Sequence, residues 1–299
     1  MAEDMADQQR VAVALREPLA WHDFVQVART AEQTGYEALF VPEIAGREAF
    51  STLAALAPLT ETMRLGSGVV PITSRQARTT AMAAATVQEL SGGRFILGLG
   101  AGFERSLDAV RAYVHDVRST ELAFDAGDRP PIWLAALGDR MIELAGSTAD
   151  GVLLNWCTPE RVAAAKAVLA RSAEDAGRDP GDVTLAVYIR ACVDPDAGAA
   201  LAALRPQAGQ YASIPHYRRQ LEAMGLGAEA ESASRGEVRD DLVRRLCLMG
   251  DAASASARLQ VYRDAGADLP VVYPVPSREP MSSLLGTILA LAPVSALEA

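Results

Sequence analysis

The chain has 299 residues, half of them hydrophobic by count, with a formal net charge of -10 and three cysteines. That length and apolar content can bury one large core, the acidic balance disfavours nucleic acid as a partner, and the odd, widely spaced set Cys157, Cys192 and Cys247 suggests neither a disulfide framework nor a CxxC metal site. No run approaches the roughly 20 apolar residues of a membrane helix, so the expectation is a soluble protein of the reducing cytoplasm without membrane contact.

Residues 1–10 are polar and acidic and lack the basic region and apolar core of a signal peptide, which predicts a disordered lead before a single domain over 11–299. A first strand is predicted over 11–15, with Arg16 and Glu17 at its carboxyl end. The following helix repeats apolar residues at Phe24, Val27, Ala28 and Ala31 and stops at Gly35. Three short apolar runs bounded by Gly or Pro follow, over 38–41, 65–70 and 95–100, separated by helical patterns at 51–60 (Ser51 as N-cap) and 79–90 (stop at Ser91-Gly92-Gly93). Continuous runs of this kind are strands buried on both faces, and their alternation with helices predicts parallel βα units.

The carboxyl ends of parallel strands are where such sheets bind ligands. Here those ends carry Pro42-Glu43, Pro71 and Gly100-Ala101-Gly102. Glu17 and Glu43 converge at that end, either as acid/base groups or as ordinary loop glutamates. Gly66 and Gly68 inside the third run mean a bulge or a close approach, to a helix or to a flat ligand. The string Gly98 to Gly102 fails the GxGxxG fingerprint at Phe103 and is equally readable as a packing device. His22, His115 and His216 lack HxH or HExxH spacing, so no metal site is expected. Lys166 is the only lysine, a bias that fits a GC-rich genome or a preference for bidentate anion contacts.

Several stretches together resemble the bacterial luciferase-like monooxygenase superfamily, in its branch that uses the deazaflavin coenzyme F420. They are Gly35-Tyr36 through Val41-Pro42-Glu43, then 63–69, then Glu89-Leu90-Ser91-Gly92-Gly93-Arg94 running into 95–102, and further 131–138, 149–156 and 266–272. The resemblance, which includes methylenetetrahydromethanopterin reductase-like proteins, implies an α/β (β/α)8 TIM barrel. Its strands five to eight fall at 132–137, 151–155, 183–191 and 268–273, with a helix at 159–176 capped by Thr158 and a final helix at 283–297. An insertion between strands seven and eight contains helical segments at 214–224 and 240–249, and the segment after strand four is short, a charged helix at 104–117 and a turn at 125–128.

By the same resemblance, Ser67, Gly68 and Val69 match a backbone bulge, often with a cis peptide, behind the central ring of the deazaflavin. Gly100, Ala101 and Gly102, then Ala135, Ala136, Leu137 and Gly138, then Asn155 and Trp156 match loops that touch ring, tail and phosphate. Trp156 also reads as a core aromatic. The histidine and glutamate that relatives acting on sugar phosphates or alcohols carry are replaced here by Ile44 and Phe103, so their acid/base machinery does not carry over. The implied function is F420-dependent hydride transfer between deazaflavin C5 and a small organic substrate, with Glu43 or Glu17 delivering the proton. The alternatives are an FMN-dependent monooxygenase using reduced flavin and oxygen, and a non-catalytic cofactor-binding relative. A homodimer is expected.

Overall fold

The computed structural model describes residues 10–16, 18–102, 104, 106–124 and 127–293. Its strands are β1 (Ala12–Ala14), β2 (Ala38–Val41), β3 (Arg64–Ser67), β4 (Val70–Pro71), β5 (Phe95–Gly100), β6 (Ile132–Ala135), β7 (Gly151–Asn155), β8 (Thr184–Val193), β9 (Leu248–Gly250) and β10 (Leu269–Pro274). All pair in parallel, in the order β10-β1-β2-β3-β5-β6-β7-β8, and β8 pairs back onto β10. The eight-stranded sheet therefore closes into a (β/α)8 barrel, as the family resemblance implies, and its parallel pairing is what the alternation of buried runs and helices predicts. β4 resumes the third barrel strand after a break at Gly68-Val69 and pairs with β5.

Side chains of one parity fill the barrel and those of the other parity pack against the helices. Phe40, Ile96, Trp133, Leu153, Tyr188 and Val271 belong to the inner cluster. The glycines of the strands make room for its aromatic members. A Cβ on Gly66 would lie 2.4 Å from the Phe40 ring, and one on Gly151 would lie 2.8 Å from the Trp133 ring. Arg94 ties the start of β5 to the preceding turns by donating to the carbonyls of Ser91, Met63, Ala57 and Thr60.

Several boundaries differ from those expected, each for a local reason. The second helix runs Ala49–Leu56 and is capped by Glu48, whose carboxylate accepts from the Phe50 and Ser51 N–H groups, so Ser51 lies inside the helix rather than capping it. The helix expected over 240–249 ends as Asp240–Leu246, because Leu248–Gly250 is drawn into β9 against the free edge of β8 at Ala191 to Val193. The last helix is Pro280–Ala290, started by Glu279 and by Pro at its first position, and Pro293 stands just beyond its end. Thr158 does cap the helix Pro159–Asp175, accepting from the Arg161 N–H. The insertion adds the helices Ala197–Ala212, Pro215–Ala223 and Gly227–Ser234, which share an apolar cluster with β9 and Trp156.

Of the expected lead, Arg10 forks onto Glu37 at 2.6 and 2.8 Å, and the remainder lies outside the described residues. Among the described residues no helix is long and apolar enough to cross a membrane.

Candidate functional site

The loops that leave the carboxyl ends of the strands form one mouth, and most of the residues singled out above lie around it. Glu17 lies outside the described residues. Glu43, after β2, is engaged on both oxygens: Arg75 forks onto it at 2.5 and 2.9 Å, and the Ala49 N–H donates to it at 3.1 Å. Arg75 also reaches Glu48 at 2.5 Å. This cluster fixes the β2 loop to the turn before the helix Ala77–Leu90, and Arg75 is a member that sequence reasoning did not single out.

Behind the mouth, β3 breaks at a cis peptide between Gly68 and Val69, at the position expected for the bulge. Ser67 is fully buried and its hydroxyl turns inward to β5, donating to the Gly98 carbonyl and accepting from the Gly98 N–H, both at 2.9 Å. The Tyr188 hydroxyl donates to the Gly68 carbonyl at 3.4 Å, and a Cβ on Gly68 would collide with that hydroxyl. Val69 is half-buried on the mouth side. The glycines of β5 serve this segment. A Cβ on Gly98 would stand 2.0 Å from the Ser67 carbonyl oxygen, and one on Gly100 would stand 2.6 Å from Val69 Cγ2.

Gly102 has φ +61, a conformation glycine adopts without penalty, and a Cβ there would meet Thr73 Oγ1 at 2.5 Å and Pro71 Cβ at 3.1 Å. Its lack of a side chain is therefore accounted for by the turn after β4. Ala101, beside it, is half-buried.

On the β6 side, Ala135 is half-buried and Ala136 is buried, with its N–H donating to the Leu153 carbonyl at 3.0 Å. The Leu137 carbonyl accepts from Arg161 Nη2 at 3.1 Å. Gly138 is the N-cap of the helix Asp139–Thr148 and supplies no side-chain cap, and a Cβ there would meet nothing within 4 Å. A helix N-terminus left open in this way suits an anionic group. Arg161, paired with Asp139 at 2.7 Å, stands beside it and lines a cavity of about 770 Å³ together with His216, Arg219 and Arg245.

Asn155 and Trp156, after β7, are held tightly. Asn155 Nδ2 donates to the Tyr217 hydroxyl at 2.8 Å, and Asn155 Oδ1 accepts from Arg190 Nη1. Gln220 Nε2 donates to the carbonyls of Asn155 at 2.9 Å and Trp156 at 3.0 Å. Trp156 is buried at φ +56, with its ring 5.0 Å from that of Tyr211. It is thus a core aromatic of the insertion that also borders the mouth. Burial holds the Tyr188 hydroxyl well above its ordinary range and pushes that of Tyr217 up to about 12, so both act as neutral hydrogen-bonding groups.

Arg190 and Tyr188 are the functional candidates that sequence reading passed over. They share the inward parity of β8 with Ala186. A second cavity, of about 820 Å³, lies at the opposite end of the barrel, against Ile132, Asp150 and Arg178, far from these loops. No group of His, Cys, Asp and Glu suited to a metal ion occurs among the described residues.

A closed parallel barrel with a broken third strand and a mouth formed by the loops at its carboxyl ends defines a TIM-barrel class. Within it, the profile described as luciferase-like monooxygenase matches residues 4–110 and 104–269, and the chain belongs to that family. Among curated proteins, a 5,10-methylenetetrahydromethanopterin reductase of Methanolobus tindarius is 34% identical over 206 residues, which are 59% of this chain and 63% of that one. The chain thus spans less than two thirds of the length of that relative. Among solved structures, the coenzyme F420-dependent tetrahydromethanopterin reductase from Methanopyrus kandleri superposes with TM-score 0.77 at 19% identity, over 95% of this chain and 97% of that one. An F420-dependent secondary alcohol dehydrogenase, described in complex with an F420-acetone adduct, gives TM-score 0.74 at 17% identity, over 93% and 97%. At these identities the structural likeness is one of fold.

Proposed function

We propose that the protein is an oxidoreductase that binds coenzyme F420 and transfers a hydride between deazaflavin C5 and a small organic substrate. The observation that carries this reading is the pairing, across one barrel mouth, of an apolar wall at Gly68-Val69 with an open helix N-terminus at Gly138. A flat heterocycle joined to a phosphate needs both features. The 34% identity to a methylenetetrahydromethanopterin reductase and the fold shared with F420-dependent enzymes support the same choice.

The residues present fit the cofactor. Val69 would support one face of the ring, with Gly98 and Gly100 leaving room for its two methyl groups. The first N–H groups of the helix Asp139–Thr148 would hold the phosphate. When bound, the deazaflavin supplies a two-electron hydride donor at C5. The chain's own part is to bind, orient and exclude water. Tyr188 and Phe40, whose rings meet edge to face at 6.0 Å, close the floor of the mouth against solvent from the barrel.

Titration of the purified protein tests the reading. Micromolar F420 binding without FMN binding is expected, and FMN binding without F420 binding would support the FMN-dependent monooxygenase instead. Turnover of any acceptor with reduced F420 separates an enzyme from a non-catalytic cofactor-binding relative. The reading includes a homodimer, because Met82 and Leu90 on the helix Ala77–Leu90 are 50% and 51% exposed. Sedimentation at twice the 31.6 kDa chain mass is expected, and a monomer at micromolar concentration would overturn it.

A further inference from the structure

Arg190 is a buried cation without an ion-pair partner among the described residues. The residue is 2% exposed, and no carboxylate pairs with it among the described residues. Three aromatic rings surround it instead, with the guanidinium carbon 4.6 Å from the centroid of Trp156, 4.9 Å from that of Tyr211 and 4.4 Å from that of Tyr273. Ring faces attract a cation, but they do not satisfy the N–H donors in the plane of the guanidinium. One of these, on Nη1, donates to Asn155 Oδ1, whereas Nε is buried without an acceptor. Beside it, Trp156 Nε1 is also buried without an acceptor. A protein ordinarily satisfies such donors, and a lone buried charge is retained against a large desolvation cost. Two orphaned donors next to one buried positive charge describe half of an interaction whose other half is a negatively charged oxygen group.

The topology says where that group would come from. Around the closed sheet, β8 is the fourth strand from β3 in either direction, so the two strands face each other across the barrel. Tyr188 spans that distance to reach the Gly68 carbonyl. Arg190 lies one inward-facing position further along β8, toward the mouth, paired in register with Tyr273. A ring seated on Val69 would therefore have Arg190 on the opposite wall, on the side left for the hydride acceptor.

We propose that Arg190, with Trp156 Nε1 beside it, receives a carboxylate of the substrate, so that the substrate class is small organic acids. The guanidinium fork matches a planar carboxylate, and Asn155 and the aromatic cage hold the fork in place. The assignment to the substrate rests on the proposed cofactor position, whereas the binding of a carboxylate at Arg190 does not.

The test uses the full chain and two probes of nearly equal shape, benzoate and benzamide, followed through the fluorescence of the tryptophans, of which Trp156 borders the site. Benzoate is expected to bind at least about tenfold more tightly than benzamide, as a charge-assisted fork requires. Arg190→Met is expected to abolish the difference and Arg190→Lys to retain part of it, while F420 affinity in both variants stays within about threefold of the parent, below the tenfold that 1.4 kcal/mol represents. Equal binding of the two probes by the unmodified protein would overturn the proposal, as would absence of benzoate binding or full benzoate affinity in Arg190→Met. Loss of F420 affinity in Arg190→Lys would show that the anion held is the cofactor's, and would overturn it too. If Arg190→Met does not fold, Arg190→Lys and the comparison of the two probes on the unmodified chain decide. Failure of F420 to bind any of the proteins, with the benzoate preference intact, would refute the cofactor reading alone.

Discussion

Gly100→Ala tests the packing that places Val69 at the mouth. The added methyl carbon would lie 2.6 Å from Val69 Cγ2, with Ala135 Cβ at 3.8 Å on its other side. Carbon atoms prefer separations of about 3.5–4.0 Å, so about 1 Å of overlap must be absorbed. Overpacking of this kind costs about 1–3 kcal/mol, and for a chain of this size each kcal/mol lowers Tm by about 2–4 °C. A loss of about 2–12 °C is expected by scanning fluorimetry, with F420 affinity weakened about tenfold as Val69 is displaced. Val69→Ala removes the colliding methyl, so the double variant should recover at least about 1 kcal/mol relative to the sum of the single losses. Strict additivity, or an unchanged Tm in Gly100→Ala, would refute the placement of Val69 against β5.

Glu43→Gln is expected to lower Tm by several degrees, because Arg75 loses a partner that is bonded through both oxygens and only 16% exposed. An unchanged Tm with lost turnover would instead assign Glu43 the acid/base role. Glu32 accepts from the N–H groups of Glu61, Thr62 and Met63 at 2.8, 2.8 and 2.9 Å. Partial burial raises its pKa, but these three bonds outweigh burial and the carboxyl is held below its ordinary value of 4.5. A depressed carboxylate stabilises the fold fully above that ordinary value and loses its contribution as pH falls through the folded value. The Tm gap between the parent and Glu32→Gln should therefore be largest near pH 7 and close toward pH 3, and a constant gap would contradict this. Burial pushes the thiols of Cys157 and Cys247 up to about 12 and that of Cys192 up to about 11. A disulfide reagent at pH 8 should therefore label none of them until the protein unfolds, and rapid labelling of the native chain would show one of them accessible.

The parallel βα units were legible because their strands are continuous apolar runs, and the runs 38–41 and 95–100 fall on the observed strands to the residue, whereas closure into a barrel and the strand at 151–155 followed from the family resemblance. The break in the third strand was legible too, since Gly68 and Pro71 interrupt a β pattern. Less was visible where pairing across the fold decides the outcome. Nothing local marks Arg75 as the partner of Glu43, 32 residues away. The capping role moved from Ser51 to Glu48 because the helix begins earlier, at Ala49, where the Glu48 carboxylate accepts from the Phe50 and Ser51 N–H groups. β9 is three residues long and looks like the end of a helix until the free edge of β8 is known. Arg190 was hidden by its neighbours. Within Tyr188-Ile189-Arg190-Ala191-Cys192 it reads as one polar interruption of a buried strand, and only the closure of the barrel shows that it points inward.

A crystal structure of the protein soaked with F420 tests the central claim most directly. The deazaflavin is expected with its ring against Gly68-Val69, its phosphate at the N-terminus of the helix Asp139–Thr148, and its free face toward Arg190. A ring bound elsewhere, or a mouth that stays empty at saturating F420 while admitting FMN, would contradict it.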